Sequence, residues 1–323
     1  MDNHNILITS AGRRVSLVRF FQDELLKSFP LAKVFTSDAN PAYSAACRIS
    51  DGAFRVPRVT EPDYIAQLLQ LAIENDIRVI IPTIDTELLV LSESIELFAM
   101  NNIAVVVSSP ELVSIFRDKR KTHAFFASHE IGVAREYEKG KHEIPLYIKP
   151  YDGSRSVDNY IIRKHEELTD YHFSNDKLMF LEYLDHSDHT EFTIDLYYDR
   201  LGNLKCFIPR QRIEVRDGEV NKAVTRKTKF IYDLSKKLGY VNGFRGCITL
   251  QVFVNNHDER LYGIEINPRF GGGYPLSYLA GGNFPKWIIN EYLKDEPVPF
   301  FENWEENLMM LRYDDEVLVH NFS

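Results

Sequence analysis

Over the first hundred residues, short apolar runs alternate with longer stretches in which apolar side chains recur every three or four positions. Asn5 to Thr9 has the pattern of a buried strand, and Ser10-Ala11-Gly12-Arg13-Arg14 that of a tight turn. A helix from Val15 to Leu26 follows, with Val15, Leu17, Val18, Phe21 and Leu25 on one side. The cycle repeats as a strand from Ala32 to Thr36, a helix from Glu61 to Asn75, a strand at Val79-Ile80-Ile81-Pro82, a helix from Thr86 to Met100 and a strand from Ile103 to Val107. Strands alternating with helices predict a parallel, doubly wound sheet that binds ligands near the carboxyl ends of its strands.

The pattern changes after Ser108-Ser109-Pro110. Two helices are expected through His129, and Leu146-Tyr147-Ile148-Lys149-Pro150 is a short strand leading into the polar loop Tyr151 to Val157. Strand-like runs dominate thereafter, at Met179 to Leu184, Glu191 to Leu196 and Cys206 to Val215. Asn221 to Arg226 continues beyond an Arg216-Asp217-Gly218-Glu219 turn. Lys229 to Leu238 reads as a helix with Gly239 as its cap. Gly246 to Val254 and Arg260 to Ile266 form a hairpin, Trp287 to Leu293 a helix, and the tail is strand-like. There is no internal repeat or low-complexity segment.

A chain of 323 residues with 44% hydrophobic and 26% charged content buries a large core and divides into two or three subdomains. A net charge of -9 argues against a broad nucleic-acid surface but leaves room for a small basic pocket. Cys47, Cys206 and Cys247 are odd in number and widely spaced, which suggests neither a disulfide framework nor a zinc ribbon. No stretch has the length of a membrane span or the form of a signal peptide, so a soluble cytoplasmic protein is expected.

The densest chemistry lies in Gly263-Ile264-Glu265-Ile266-Asn267-Pro268-Arg269-Phe270-Gly271-Gly272-Gly273-Tyr274-Pro275. Strand alternation sets Glu265 and Asn267 on one face and Ile264 and Ile266 on the other. A carboxylate beside an amide oxygen suits Mg²⁺, which takes oxygen ligands and shares its remaining positions with water and phosphates. Arg269 adds a planar, permanently charged fork, and the glycines let a ligand approach the main chain. A structural Glu265–Arg269 salt bridge is the competing account. Arg210 and Arg212 share a strand face, with Lys222 and Arg226 nearby; they could receive a carboxylate or phosphate, or guard an exposed strand against edge pairing. Arg13 and Arg14 at a helix start could hold an anion or be solvated. Thr83, Asp85 and Glu87 face the same cleft or cap the next helix. Gly12 stands alone, so a dinucleotide fingerprint is missing, and no GxxxxGK[ST] run marks a P-loop. His186 and His189 sit among acids without a third ligand at a recognisable spacing, which reads as a hairpin end rather than a metal site.

In order, Lys119, Ile148-Lys149-Pro150 with its loop, Glu182-Tyr183-Leu184, Glu191, Gln251 and Glu265-Ile266-Asn267-Pro268-Arg269 resemble the ATP-grasp superfamily over nearly the whole chain. The motifs are similar to those of carbamoyl-phosphate synthase large-subunit halves and ATP-dependent carboxylate-amine ligases. The resemblance implies an α/β chain with an N-terminal Rossmann-like (pre-ATP-grasp) parallel sheet over 1–110. A two-subdomain α+β ATP-grasp fold follows, with a small lid over 111–183 and a large subdomain over 184–323. It implies ATP and Mg²⁺ as cofactors, with Lys119, Lys149 and Ser154 on the phosphates, Glu182 and Leu184 bordering adenine, and Glu191 on the ribose. Gln251, Glu265 and Asn267 would hold metal, and Arg269, with Lys149, would act in catalysis. Arg210, Arg212, Gly272 and Tyr274 are the candidates for the substrate side.

The function implied is activation of a small carboxylate as an acyl phosphate for attack by an amine, without nucleic-acid or membrane partners. A homodimer is the reasonable expectation. Two other readings stand beside it: a carbamoyl-phosphate synthase-like half acting on bicarbonate or carbamate, and a nucleotide-binding regulator without turnover. Both lysines, Glu265, Asn267 and Arg269 favour catalysis. Gln251 stands where many of the superfamily carry an acid, so a second Mg²⁺ is an open question. The chain is too short for a two-half synthase and has no amidotransferase cysteine motif.

Overall fold

The computed structural model describes residues 4–153, 157–216, 218–320 and 322. Strands β1 (Asn5–Ile8), β2 (Val34–Asp38), β3 (Gly52–Arg55), β4 (Ile77–Ile81) and β5 (Ala104–Val105) form a parallel sheet in the order β3-β2-β1-β4-β5. The apolar runs are buried on both faces, as parallel strands between helices require. Leu7 and Ile80 pack with Leu68, Leu91 and Phe98 on one face. Ile6 and Ile8 pack on the other with Val18 and Phe21 of helix Val15–Ser28, and this core continues into Phe270, Phe284 and Trp287.

Two further sheets follow. The small one contains β6 (Glu136–Tyr137), β7 (Leu146–Pro150), β8 (Tyr160–Ile162) and β9 (Leu178–Glu182), in the order β6-β9-β7-β8. The larger one contains β10 (His189–Tyr198), β11 (Leu204–Arg216), β12 (Glu219–Thr225), β13 (Gly246–Asn255), β14 (Leu261–Asn267) and β15 (Met309–Leu311), in the order β14-β13-β10-β11-β12-β15. All of its pairings are antiparallel. The two faces of this sheet follow from alternation. Phe192, Ile194 and Leu196 of β10, with Leu250 and Val252 of β13, pack against Leu112, Phe126, Ile231 and Leu234 on helices Pro110–Phe116, Lys119–Ser128 and Lys229–Lys237. The helix Lys119–Ser128 lies so close to β14 that a Cβ on Gly263 would enter the Phe126 ring.

Two expected elements differ. The helix expected from Thr86 to Met100 is two helices, Asp85–Glu93 and Ile95–Ala99, parted at Ser94, whose hydroxyl donates back to the Val90 carbonyl. The Gly271-to-Pro275 turn runs into a helix, Tyr274–Leu279, in which Pro275 occupies the first turn, where a missing N–H costs nothing.

Candidate active site

The opposite face of the large sheet is polar where it meets the other two sheets. Register sets Glu265 of β14 beside Gln251 of β13, Gln251 beside Thr193 of β10, Thr193 beside Arg210 of β11, and Arg210 beside Thr225 of β12. Asn267 and Thr249 pair in the next row of that face, and Asn267 Nδ2 donates to Glu265 Oε1 at 2.6 Å. The row forms one wall of a cleft of about 1090 Å³, into which Lys119, Lys149, Asp85 and Arg269 also project. Gln251, Glu265 and Asn267 thus lie together on neighbouring strands. One carboxylate and two amides are a hard oxygen set of low charge, which fits a Mg²⁺ ion shared with phosphate oxygens better than an all-protein cage.

Two lysines approach from the side of the small sheet. Lys149 leaves β7 with only 6% of its surface exposed. Burial and the neighbouring Lys119 charge pull its pKa down to about 8, against the attraction of Glu265 and Glu136. Lys119 starts the helix Lys119–Ser128 and donates to the Gly153 carbonyl. Between them stands His123, whose pKa falls to about 4 through burial and repulsion from Lys149 and Lys119. A neutral imidazole there adds no positive charge at neutral pH. Ser154 lies outside the described residues.

Arg269 is held from the N-terminal sheet. Its Nε and Nη2 donate to Asp85 at 2.9 and 2.7 Å, across 184 residues of sequence. Burial lowers its pKa, but the Asp85 charge and hydrogen bonds outweigh this, so the guanidinium titrates above its ordinary range. The expected alternative partner, Glu265, is bonded to Asn267 instead. Glu87, beside Asp85, is turned inward: its carboxylate accepts from the Thr83 and Ile84 N–H groups and from Ser10 and Tyr64. It caps the helix and is wholly buried. Thr83 is buried too, bonded to the Thr9 and Ser10 carbonyls.

Of the residues expected to take adenine and ribose, Glu182, Leu184 and Glu191 all line the cleft. The Glu182 carboxylate accepts from the Arg135 N–H at 3.2 Å. Glu191 is already paired with Arg212 at 2.5 Å. Arg210 is fully buried and gives Nε and Nη2 to Asp195 at 2.8 and 3.1 Å. Neither arginine guards an edge, since β11 lies inside the sheet. Gly272 lines the cleft and its carbonyl accepts from Arg312. Tyr274 is a correction: its ring packs in the core against Phe270 and Phe284, and its hydroxyl is used by the Gly282 carbonyl and the Phe284 N–H. The alternation that puts Glu191 on the cleft face also puts Thr193 and Asp195 there, a signal that sequence reading left unused. His186 stacks edge-on with Phe253, and His189 bonds to the Asp185 carbonyl and Asn255.

A parallel α/β sheet, a small antiparallel sheet and a larger one close on a cleft lined by lysines, a Glu-x-Asn strand end and an arginine, and the carboxy-terminal part of the chain matches an ATP-grasp family. Residues 6–106 match the family described as "PylC-like, N-terminal domain", and residues 174–312 the family described as "ATP-grasp in the biosynthetic pathway with Ter operon". The biotin carboxylase domain of 2-oxoglutarate carboxylase from Hydrogenobacter thermophilus, solved with MgADP, ADP and bicarbonate, is similar at 15% identity. The match covers 96% of this chain and 74% of that one with a TM-score of 0.72. N5-carboxyaminoimidazole synthetase from Staphylococcus aureus, solved with ADP, matches at 14% identity over 95% of this chain and 80% of its own, with a TM-score of 0.71. L-amino acid ligase from Bacillus licheniformis matches at 16% identity over 91% and 75%, with a TM-score of 0.65. No curated protein matches the chain. Among the described residues no helix is long and apolar enough to cross a membrane.

Proposed function

We propose that the chain is an ATP- and Mg²⁺-dependent ligase that phosphorylates a small carboxylate and passes the acyl phosphate to an amine. The observation that carries this reading is the meeting, in one cleft, of two lysines, the Gln251–Glu265–Asn267 oxygen set and Arg269. Joining a γ-phosphoryl group to a carboxylate brings two anions together, so the reaction needs cations and alignment more than a protein nucleophile. In this reading Lys119 and Lys149 hold ATP phosphates, Glu182 and Leu184 border the base, and Glu191, once released from Arg212, takes the ribose. Gln251, Glu265 and Asn267 would hold Mg²⁺, which neutralises phosphate charge when bound. Arg269, fixed by Asp85, steadies the transferring group. A carboxylate oxygen bonds to the γ-phosphorus as the bond to the ADP oxygen breaks. The amine nitrogen then attacks the carbonyl carbon, phosphate leaves with the C–O electron pair, and the amine loses a proton. The division at 110 and 183, with the small sheet acting as lid, belongs to the same proposal, as do a cytoplasmic location and a homodimer. The three cysteines, all free and buried, agree with a reducing compartment.

The test is ADP release from MgATP with a panel of amino acids, other carboxylates and bicarbonate, with and without amines. Stimulation in the wild type that disappears in Glu265→Ala and Arg269→Ala supports the reading. Tight MgATP binding with no stimulation by any member would overturn it in favour of a regulator.

A further inference from the structure

Buried cations are expected to come with partners, because an uncompensated one costs several kcal/mol. Around the turn Gly271–Gly273 this accounting does not close. Arg269 has Asp85, and Arg312 gives Nη1 to Glu219 at 2.6 Å. Arg210 has Asp195 for two of its nitrogens, but its buried Nη1 has no partner among the described residues. That atom sits against Gly273, where a Cβ would collide with it. Arg14, from the first turn of the N-terminal sheet, lines the same end of the cleft, and among the described residues its guanidinium makes one hydrogen bond, from Nη2 to the Thr83 carbonyl at 3.4 Å. Among the described residues no carboxylate lies within ion-pair distance of it. Burial, and then the Arg269 charge, pull its pKa down to about 10, more than Glu219 and Asp85 restore. With Arg13, whose Nη2 also lies 3.8 Å from Glu219, five guanidinium groups thus share three carboxylates, and the donors left over, those of Arg14 and Arg210 Nη1, belong to the same end of the cleft.

We propose that the acid substrate carries a second anionic group, and that this group docks on Arg14 and Arg210 Nη1 while the reacting carboxylate lies nearer Arg269. The inference rests on the ligase reading for the reacting carboxylate. The fold separates the two groups: the main chain of Arg210 lies three strand steps from that of Glu265 along the row, roughly 14 Å at the usual spacing, and its Nη1 is turned to Gly273. A carboxylate engaged with a phosphoryl group held at Glu265 leaves the donor against Gly273 to a second anionic group. The substrate class is therefore a small diacid, or an acid bearing a phosphate, rather than a simple monocarboxylate.

The experiment compares matched pairs that differ by one anionic group: glutamate with glutamine, aspartate with asparagine, and phosphoserine with serine, whose phosphate adds nearly two charges at neutral pH. Binding to the whole protein is measured by calorimetry in the presence of MgADP, in the wild type, Arg14→Gln and Arg14→Lys. The charged member should bind about ten- to a hundredfold more tightly in the wild type, the value of charge-assisted hydrogen bonds. Arg14→Gln should erase most of that preference and Arg14→Lys retain part of it. Preference for the carboxylate pairs identifies a diacid, and for the phosphoserine pair a phosphorylated acid. Equal binding within every pair, or a preference unchanged in Arg14→Gln, would overturn the proposal. The readout needs no turnover. An Arg14-dependent preference with no acid-stimulated ADP release therefore keeps this site and refutes the ligase, whereas stimulation by neutral members alone, unchanged in Arg14→Gln, does the reverse.

Discussion

Replacing Lys149 by methionine removes a buried charge while keeping the length of the chain that carries it. In the unfolded protein this lysine holds its proton to the ordinary 10.5, and in the folded protein only to about 8. Between those values the unfolded state binds more protons, so stability rises with pH across the window. Below about pH 8 the folded protein bears the full cost of keeping the ammonium charged. At about 1.4 kcal/mol per pKa unit, that cost is about 3 kcal/mol. Lys149→Met should therefore be more stable than wild type at pH 7 by about 2–3 kcal/mol, with the gap closing by pH 10.5. Urea unfolding at the two pH values, followed by fluorescence of the buried Trp287 and Trp304, measures it. The same variant should bind MgATP about ten- to a hundredfold more weakly, having lost a charge-assisted contact to phosphate. A variant less stable than wild type at pH 7, or a gap that does not narrow with pH, would refute the burial argument. Unchanged MgATP affinity would refute the assignment of Lys149 to the phosphates.

Tyr274→Phe should lower stability by about 1–2 kcal/mol by stripping a buried hydroxyl from the Gly282 carbonyl and Phe284 N–H, while leaving the KM of the folded enzyme for its acid unchanged; a raised KM would return Tyr274 to the substrate side. Gly273→Ala places a methyl group against Arg210 Nη1, which Asp195 holds in place, so a loss of about 1–3 kcal/mol is expected in thermal or urea unfolding. A neutral result would show that Arg210 is free to move.

The strands that build the site were legible because alternation has only two outcomes. Glu265 and Asn267, or Arg210 and Arg212, share a face whatever the rest of the chain does. What alternation does not say is what the face meets. Arg210 and Arg212 read equally well as edge guards until the strand order places β11 inside the sheet. The Asp85–Arg269 pair joins positions 184 residues apart, and no local pattern in either segment marks the other. Tyr274 was misplaced for a related reason. A tyrosine after three glycines looks available to a ligand, but Pro275 starts a helix there and rolls the ring into a core shared with Phe284. Arg14 reads equally as an anion holder or as a solvated helix residue, and only the fold sets it, half-buried, at the end of the cleft near Arg269 and Glu219.

The Asp85–Arg269 clasp also bears on how such a protein could be inherited or rebuilt. The two family matches divide the chain into an N-terminal piece and a C-terminal piece, and each supplies one half of this clasp. A chimera that joined the C-terminal piece to a foreign N-terminal domain could fold, yet leave Arg269 without the acid that aims it. The unit that must travel together is therefore the pair, and a graft would have to bring along an acid at the start of the helix after the fourth strand before its partner's arginine could be aimed.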